Sequence, residues 1–335
     1  MSPHRAGLRV CALLLSILLP GAWAEASPVY NGGPVMSGPN TVDFIWYGNW
    51  TGNTATSILP SLITNLSGSS YMNILSSYNS PTNAYAPFSN LVNFGSSYFN
   101  TSTTALNGTP GATGANTIYS IVNAAINAGA FGASPNTSNT IFDVLTAPGI
   151  SVSGFLTSFC GWHDSTNAGG NALGTQYGFI GDPGTSGCEH QTTSSPNNNV
   201  GADAMASVIS HELFETITDP TIAAWYDSVS PSGGTNTGGF ENGDMCNFNF
   251  GPTYQAPNGS LANVNLNGTN YLLQQQWINQ GGGQNYAGGA CATSLAFSNP
   301  TAAPEPGSLA VLASALAGLA ALRQRRPHRP RAAAA

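Results

Sequence analysis

Residues 204–217 read Ala-Met-Ala-Ser-Val-Ile-Ser-His-Glu-Leu-Phe-Glu-Thr-Ile, which is the clearest helical stretch in the chain. Asp203 precedes it, and its side chain can accept hydrogen bonds from the first turn, so it is the predicted N-cap. Asp219 and Pro220 follow it, and proline cannot continue a helix. The sequence therefore predicts one helix over residues 204–217, bounded by polar residues and proline.

Two residues of this helix, His211 and Glu215, are four positions apart. At that spacing both side chains project from one face and can reach the same metal ion. The pattern has the geometry of the zinc-binding H-E-x-x-H helix, with glutamate in place of the second histidine. Glu212 follows the first ligand directly, where such a helix carries its general base. We therefore expect His211 and Glu215 to be metal ligands and Glu212 to be catalytic.

Further ligands are expected downstream of the helix. The segment Phe240-Glu-Asn-Gly-Asp-Met-Cys246 supplies two carboxylates, Glu241 and Asp244. Glu241 is the predicted third ligand, and Asp244 is either a fourth ligand or a neighbour of the ligands. Asp219 and Asp227 lie between the helix and this segment. Carboxylates with histidine suit Zn²⁺ first, and Ca²⁺ or Mn²⁺ are alternatives.

The charge distribution gives a separate reason to expect a cation. The seven basic residues are all arginines in the two terminal segments, namely Arg5, Arg9, Arg323, Arg325, Arg326, Arg329 and Arg331. Residues 25–303 contain none, yet six of their thirteen acids fall between residues 212 and 244. Carboxylates without basic partners must be protonated, hydrogen-bonded, paired with histidine or bound to a cation. The alternative is a solvated acidic helix end beside an acidic loop.

The same distribution limits the partners of the protein. Nucleic-acid binding depends on basic side chains that contact phosphates, and residues 25–303 offer none. A nucleic-acid partner is therefore not expected.

His163 is a second candidate catalytic residue. It lies in the motif Phe159-Cys-Gly-Trp-His-Asp164, near the end of a predicted strand. There it could line a cleft and assist a transition state, or serve as an additional metal ligand. The alternative is a surface hydrogen bond between His163 and Asp164.

Periodicity predicts most of the other elements. Apolar runs and spacings predict strands at 41–48, 140–146, 154–161 and 176–181, helices at 54–66 and 118–128, and a hairpin of 261–266 and 271–277 that turns at Asn267-Gly268. These elements predict an α/β fold, in which the 204–217 helix packs on a twisted mixed sheet.

Four cysteines lie within residues 25–303: Cys160, Cys188, Cys246 and Cys291. An even number in an exported chain suggests two disulfides. Three pairings are open, and we favour Cys160–Cys188 with Cys246–Cys291 because those cysteines are neighbours in sequence. A four-cysteine zinc site is disfavoured, because no C-x-x-C spacing occurs.

The beginning of the chain is typical of a secretory signal. Basic residues precede the apolar run 10–19, and Ala22-Trp-Ala24 fits a signal-peptidase site. We expect a signal peptide at 1–24 and a domain at 25–298.

The end of the chain has three recognisable parts. Pro304-Glu-Pro306, the apolar stretch 307–322 and an arginine-rich end together resemble the PEP-CTERM sorting signal, whose tail an exosortase removes. Sixteen helical residues reach only ~24 Å, against a membrane core of ~30 Å. The resemblance implies a linker at 299–303, a sorting tail at 304–335 with a short transmembrane helix, transient anchoring in the inner membrane and final placement at the cell surface.

A family resemblance covers most of residues 25–303. Gly32-Gly-Pro-Val-Met36, the Phe44–Trp50 run, Phe159–His163, Ser210–Glu215 and the Glu241–Cys246 run resemble, in that order, motifs of the EXORDIUM (phosphate-induced protein) family. That resemblance implies an extracellular protein. The family's helix looks like that of zinc metallopeptidases, and this implies a zincin-like fold.

Two functions remain open at this stage. In the first, the exported protein is a metal-dependent hydrolase that cleaves a peptide or ester, with signal peptidase and an exosortase as its processing partners. In the second, the metal and the disulfides only stabilise a surface or matrix module that contacts polysaccharide, with aromatic residues such as Trp46, Trp50 and Tyr71 stacking on sugars.

Overall fold

The computed structural model describes residues 27–80, 86–132, 135, 138–188, 190–229, 235–279 and 289–296. The helices there are α1 (Ala55–Leu66), α2 (Ile118–Asn127) and α3 (Val200–Thr218), with 3-10 turns at Met72–Ser77 and Asp244–Cys246. The strands, in chain order, are β1 (Val29–Tyr30), β2 (Asn40–Tyr47), β3 (Asn79–Ser80), β4 (Ala86–Pro87), β5 (Val92–Asn100), β6 (Thr140–Thr146), β7 (Gly161–Ser165), β8 (Gln176–Gly181), β9 (Trp225–Val229), β10 (Thr235–Phe240), β11 (Tyr254–Gln255), β12 (Leu261–Ala262), β13 (Val264–Leu266), β14 (Thr269–Tyr271), β15 (Gln276–Asn279) and β16 (Gly289–Ala292).

The largest sheet has five strands in the order β5-β2-β6-β8-β7. The first four are parallel, and β7 runs antiparallel to β8 at the edge. Apart from Thr41, every residue of β2 is buried, because helices cover both faces of the sheet. The predicted α/β fold with a mixed sheet is confirmed.

The helices form a layer on each side of this sheet. On one side, α1 and α3 pack against alternate residues of β2, including Phe44 and Trp46. On the other side, α2 packs against the residues between them, Ile45 and Tyr47. The helices predicted at 54–66 and 118–128 correspond to α1 and α2, respectively, within one residue at each end.

Helix α3 starts four residues earlier than predicted. Its N-cap is Asn199, whose side-chain oxygen accepts a hydrogen bond from the Ala202 amide at 3.0 Å. The predicted cap, Asp203, lies inside the first turn and accepts hydrogen bonds from Asn197. The helix ends at Thr218, directly before Asp219, as the sequence predicts.

Two strand predictions are wrong in their bounds. The segment 154–160 forms turns, because Gly154 and Leu156 adopt left-handed backbone angles, and the strand begins only at Gly161. The predicted hairpin does turn at Asn267 and Gly268, but it joins only β13 and β14. Strand β15, which contains Trp277, pairs with β16 instead.

Two disulfides join the pairs that the sequence favours. Cys160 bonds to Cys188, and Cys246 bonds to Cys291. The first connects the segment before β7 with the loop after β8. The second connects the 3-10 turn at 244–246 with β16.

The predicted targeting segments, 1–24 and 304–335, lie outside the described residues, as does the linker 299–303. Within the described part of the chain, the structure contains no helix with the length and apolar character needed to span a bilayer.

Removing the cap of α3 should destabilise the protein. Asn199→Ala takes away the acceptor of the Ala202 amide, and loss of such a cap costs about 0.5–2 kcal/mol. Urea unfolding followed by circular dichroism should show this loss. Asn199→Ser keeps an oxygen that can cap, so it should lose less, and an alanine variant as stable as the serine variant would contradict the assignment.

Candidate functional site

A cleft of ≈ 460 Å³ lies between α3, β7 and the segment that follows β10. Helix α3 presents one stripe to it, in which Asp203, Ser207, His211 and Glu215 recur every fourth residue. Glu212 lies beside this stripe and also lines the cleft. The opposite side of the helix packs into the core, which fixes the direction in which the stripe points.

His211 is held between two elements. Its Nε2 lies 3.0 Å from Oε1 of Glu215, one helical turn away, and 3.6 Å from Oδ1 of Asp244. Its Nδ1 lies 2.7 Å from the side-chain nitrogen of Gln274. The backbone amide of Asp244 donates to Oε1 of Glu215 at 2.9 Å, which ties the 241–244 segment to the helix.

His163 enters the cleft from the edge strand β7, where it is buried rather than at the surface. Its Nδ1 lies 3.5 Å from Oε2 of Glu212 and 3.7 Å from Oε2 of Glu215. Its Nε2 lies 3.5 Å from Oε1 of Glu241 and 3.3 Å from the carbonyl oxygen of Asp219. Asp164, the alternative partner, points away and accepts a hydrogen bond from Tyr177.

All six predicted catalytic and ligand side chains therefore line one cleft. Their possible ligand atoms fall into two groups that share Glu215. His163, Glu215 and Glu241 form one group, and His211, Glu215 and Asp244 form the other, with the ligand atoms of each group within 4.8 Å of one another. Glu241 is thus grouped with His163, whereas the sequence alone suggested grouping it with His211.

Two buried oxygens in this region receive no hydrogen bond from any described residue. They are Oε1 of Glu241 and Oδ2 of Asp219. The other carboxylate oxygen of Asp219 accepts from the backbone amides of Ala223 and Ala224, at 2.7 and 2.5 Å. A buried carboxylate oxygen without a close donor is unfavourable, and the nearest basic group to this oxygen of Glu241 is Nε2 of His163 at 3.5 Å, so a shared proton or a cation would stabilise these oxygens.

The pKa values reflect this crowding. Burial, followed by the charge of Asp219, raises the pKa of Glu241 well above its ordinary value. Burial alone would lower the pKa of His211, but the charge of Glu215 and a hydrogen bond to Asp244 raise it well above 6.5. His163 follows the same pattern: contact with Glu212 outweighs burial and raises its pKa to about 9. In the protein without a cation, the histidines and protons therefore carry the compensating charge.

Sequence reasoning missed Asp143. It lies on β6, on the face that α3 covers, and Gly178 of the neighbouring strand leaves room for its carboxylate. A Cβ at Gly178 would be 2.6 Å from Oδ1 of Asp143. Burial and the charge of Glu212 raise the pKa of Asp143 to about 7. The signal was present in the sequence, because Asp143 is an acid inside the otherwise apolar strand that the residues predict.

Gly243 and Gln274 were also missed, because their roles depend on contacts distant in sequence. A Cβ at Gly243 would lie 2.7 Å from the imidazole of His211, so this glycine allows the 241–244 segment to approach the ring. Gln274 contacts the same ring from the other side and accepts a hydrogen bond from the Phe248 amide at 2.5 Å.

Apolar side chains form part of the rim of the cleft. Leu156 and Phe248 line it and are 40% and 50% exposed. His190 and Phe250 pack against each other there, with ring centroids 4.5 Å apart. In contrast, Trp46, Trp50 and Tyr71 are at most 4% exposed, so the prediction that they stack on sugars is wrong and their alternative role as core residues holds.

Comparisons with known proteins give one family. The family described as "Phosphate-induced protein 1 conserved region" matches residues 29–277. Protein EXORDIUM-like 3 of Arabidopsis thaliana is 30% identical over 188 residues, which are 48% of this chain and 53% of the relative. Protein EXORDIUM-like 5 of the same plant is 30% identical over 129 residues, or 34% of each chain. The chain thus matches about half of the first relative's length, and no solved structure matches it.

Gly243→Ala tests whether the close approach to His211 matters for cation binding. The added methyl group would displace the imidazole, and disturbing the support of a metal ligand typically costs 10–100-fold in affinity. Zn²⁺ affinity, measured by competition with a chromophoric chelator, should fall by about tenfold or more. Asn247→Ala, on the exposed part of the same cleft wall, is the control and should bind as the wild type does.

Asp143 predicts a pH dependence of stability in the chelator-treated protein. Its pKa is raised from 3.8 to about 7 in the folded state, so its contribution is most favourable below pH 3.8 and is lost as the pH rises to about 7. Between these pH values Asp143 should make the unfolding free energy of the wild type fall by up to ~1.4 kcal/mol per pH unit. Asp143→Asn removes this contribution, so the unfolding free energy of the variant should fall less steeply as the pH rises. Urea unfolding at several pH values measures both slopes, and equal slopes would contradict the prediction.

Proposed function

The chain belongs to the phosphate-induced protein 1 family, which includes the EXORDIUM-like proteins, and we propose that it is an exported, cell-surface or extracellular protein. We also propose, from the residues of its cleft, that the cleft binds a divalent cation and hydrolyses a peptide or ester bond. Zn²⁺ is the proposed ion, and Ca²⁺ and Mn²⁺ are the alternatives. The proposed arrangement is zincin-like, with the ligand-bearing helix α3 packed beside an edge strand.

The observation that carries this proposal is the composition of the cleft floor. His163 and His211 meet four carboxyl groups there, those of Glu212, Glu215, Glu241 and Asp244, and the buried Asp143 and Asp219 interact electrostatically with His163. No lysine or arginine occurs between residues 25 and 303 to offset them. The buried, donor-free oxygen of Glu241 points to the same requirement, so the residues fit a cation.

His211 and Glu215 would hold the ion from α3, together with carboxylates of the 241–244 segment. When bound, such a cation makes water more acidic and polarises a carbonyl group. The carboxylate ligands supply more negative charge than histidine does, which makes the ion a weaker Lewis acid than in a site built of histidines.

Glu212 is proposed as the general base. It lines the cleft beside the ligand residues, and its Oε2 lies 3.5 Å from Nδ1 of His163. The carboxylate would accept a proton from the attacking water and pass it to the leaving group. His163 lines the cleft next to Glu212 and would donate a hydrogen bond that stabilises negative charge on the reacting carbonyl oxygen.

The cleft also limits the substrate. Its acidic floor disfavours anionic ligands, and the exposed Leu156 and Phe248 on its rim favour apolar groups. A peptide segment with apolar side chains and no excess of negative charge meets both conditions.

Export is supported by the cysteine chemistry. Two disulfides are expected to form and persist only in an oxidising compartment. We propose that signal peptidase removes residues 1–24, that the tail at 304–335 anchors the protein transiently in the inner membrane, and that an exosortase releases it.

A structural role is the second candidate. The ligand side chains are mostly buried, and a cation between α3 and the 241–244 segment would tie together elements that Cys246–Cys291 also restrains. In that case the ion would stabilise a non-enzymatic surface module associated with polysaccharide. The polysaccharide would contact residues other than Trp46, Trp50 and Tyr71, because these three are buried.

Glu212→Gln distinguishes the two functions. If the site is catalytic, hydrolysis of fluorogenic peptides with apolar residues should fall by about 10²–10⁴-fold, while Zn²⁺ content and melting temperature stay as in the wild type. Glu215→Ala should remove the ion and lower the melting temperature under both hypotheses. Asp227→Asn changes a carboxylate that does not line the cleft, so it is the control and should retain activity.

A wild-type protein that binds Zn²⁺ but cleaves none of the peptides, with Glu212→Gln unchanged in binding and stability, would support the structural role. A protein that binds no divalent ion would overturn both candidates.

A further inference from the structure

Glu215 is the shared member of the two ligand groups, and its two oxygens face different histidines. Its Oε1 lies 3.0 Å from Nε2 of His211, and its Oε2 lies 3.7 Å from Nδ1 of His163. A carboxylate that offers one oxygen to each side is the usual bridge between two metal ions.

The ligand atoms of each group lie near enough to one another for one ion apiece. Ligand atoms bound to zinc at ~2.0–2.1 Å in tetrahedral geometry lie ~3.3–3.4 Å from one another. In the first group, Nε2 of His211 lies 3.0 Å from Glu215 and 3.6 Å from Asp244. In the second group, Nε2 of His163 lies 3.5 Å from Oε1 of Glu241, whereas the 3.7 Å contact with Oε2 of Glu215 is made by the other ring nitrogen, Nδ1. The first group is therefore close to the dimensions of a coordination shell before any ion is bound. The second has one ligand atom from each member within 4.8 Å of the others, so it needs a side-chain adjustment to surround one ion.

A single ion would leave one group incomplete. If the ion occupied the first group, Glu241 would keep its donor-free oxygen next to Asp219, whose own Oδ2 receives no hydrogen bond from the described residues. One divalent ion also offsets only two of the four carboxylates that line the cleft beside the histidines, whereas two ions offset all four. The second group therefore has its own need for a cation.

We propose that the cleft holds two divalent cations bridged by the Glu215 carboxylate. His211 and Asp244 complete the first position, and His163 and Glu241 complete the second. This inference rests on the proposed function, since it concerns the same cleft, but it specifies a different number of ions and makes His163 a cation ligand instead of the group that stabilises the carbonyl oxygen. In proteins with two-metal sites, the paired ions clamp both the attacking and the leaving oxygen of a substrate.

Gln274 gives the first position a distinct signature. Its amide nitrogen faces Nδ1 of His211 at 2.7 Å, while its oxygen accepts from the Phe248 amide. Metal binding through Nε2 places the imidazole proton on Nδ1, which then needs an acceptor. Gln274→Glu supplies that acceptor without disturbing the Phe248 hydrogen bond. It should therefore tighten the first position and leave the second unchanged.

The test is metal stoichiometry, measured on the purified protein after removal of metal and reloading with Zn²⁺. Elemental analysis and calorimetric titration should give two ions per chain for the wild type. Asp244→Asn and Glu241→Gln should each retain one ion, and the double variant should retain none. Asp227→Asn changes a carboxylate that does not line the cleft, so this control should bind two.

Reloading with Mn²⁺ tests the bridge directly. Two ions joined by Glu215 should give an exchange-coupled electron paramagnetic resonance spectrum, and each single variant should give the spectrum of isolated Mn²⁺. Circular dichroism of the metal-free variants checks that they remain folded. The stoichiometry of the wild type tests the two-cation site even if a variant does not fold.

The outcomes separate this inference from the proposed function. One ion per chain, with Asp244→Asn and Glu241→Gln weakening the same binding step, would overturn the two-cation site and leave the proposed hydrolase intact. Two ions without exchange coupling would overturn the Glu215 bridge. No bound ion would overturn both.

Discussion

Carboxylates crowd one side of helix α3, and between residues 25 and 303 the chain has no lysine or arginine that could neutralise them. Most proteins place a basic side chain beside a buried acid. Here only two imidazoles, protons and backbone amides are available, and burial together with the neighbouring carboxylates raises the pKa values of Glu241 and Asp143. The cleft geometry, the pKa shifts and the proposed cation sites all follow from this one imbalance.

Three glycines allow the acidic groups to lie close together beside the sheet. Gly161 on the edge strand lets α3 approach closely, since a Cβ there would be 2.5 Å from Cγ1 of Val208. Gly178 leaves space for Asp143, and Gly243 leaves space for the His211 ring. Protein interiors are close-packed, so the absence of a Cβ at these glycines determines how closely the acidic groups approach one another.

The fold was predictable from sequence where a local pattern determined it. Helices α1 and α2 have clear apolar periodicity, β2 is a mostly apolar run, and the proximity of His211 and Glu215 follows from helical spacing alone. The strand predicted at 154–161 failed because the left-handed turns at Gly154 and Leu156 cannot be read from hydrophobicity. The grouping of Glu241 with His163, and the contacts of Gly243 and Gln274 with His211, depend on pairing between distant segments, so no local pattern encodes them.

One disulfide, Cys160–Cys188, lines the cleft just before His163, and the other, Cys246–Cys291, lies at the end of the 241–246 segment. These covalent bonds limit the conformations of both segments in the oxidised protein. A ligand that enters then does not have to offset the conformational entropy of assembling its own binding site. Reduction would return that entropy to the chain, so the proposed cation should bind more weakly in reducing surroundings.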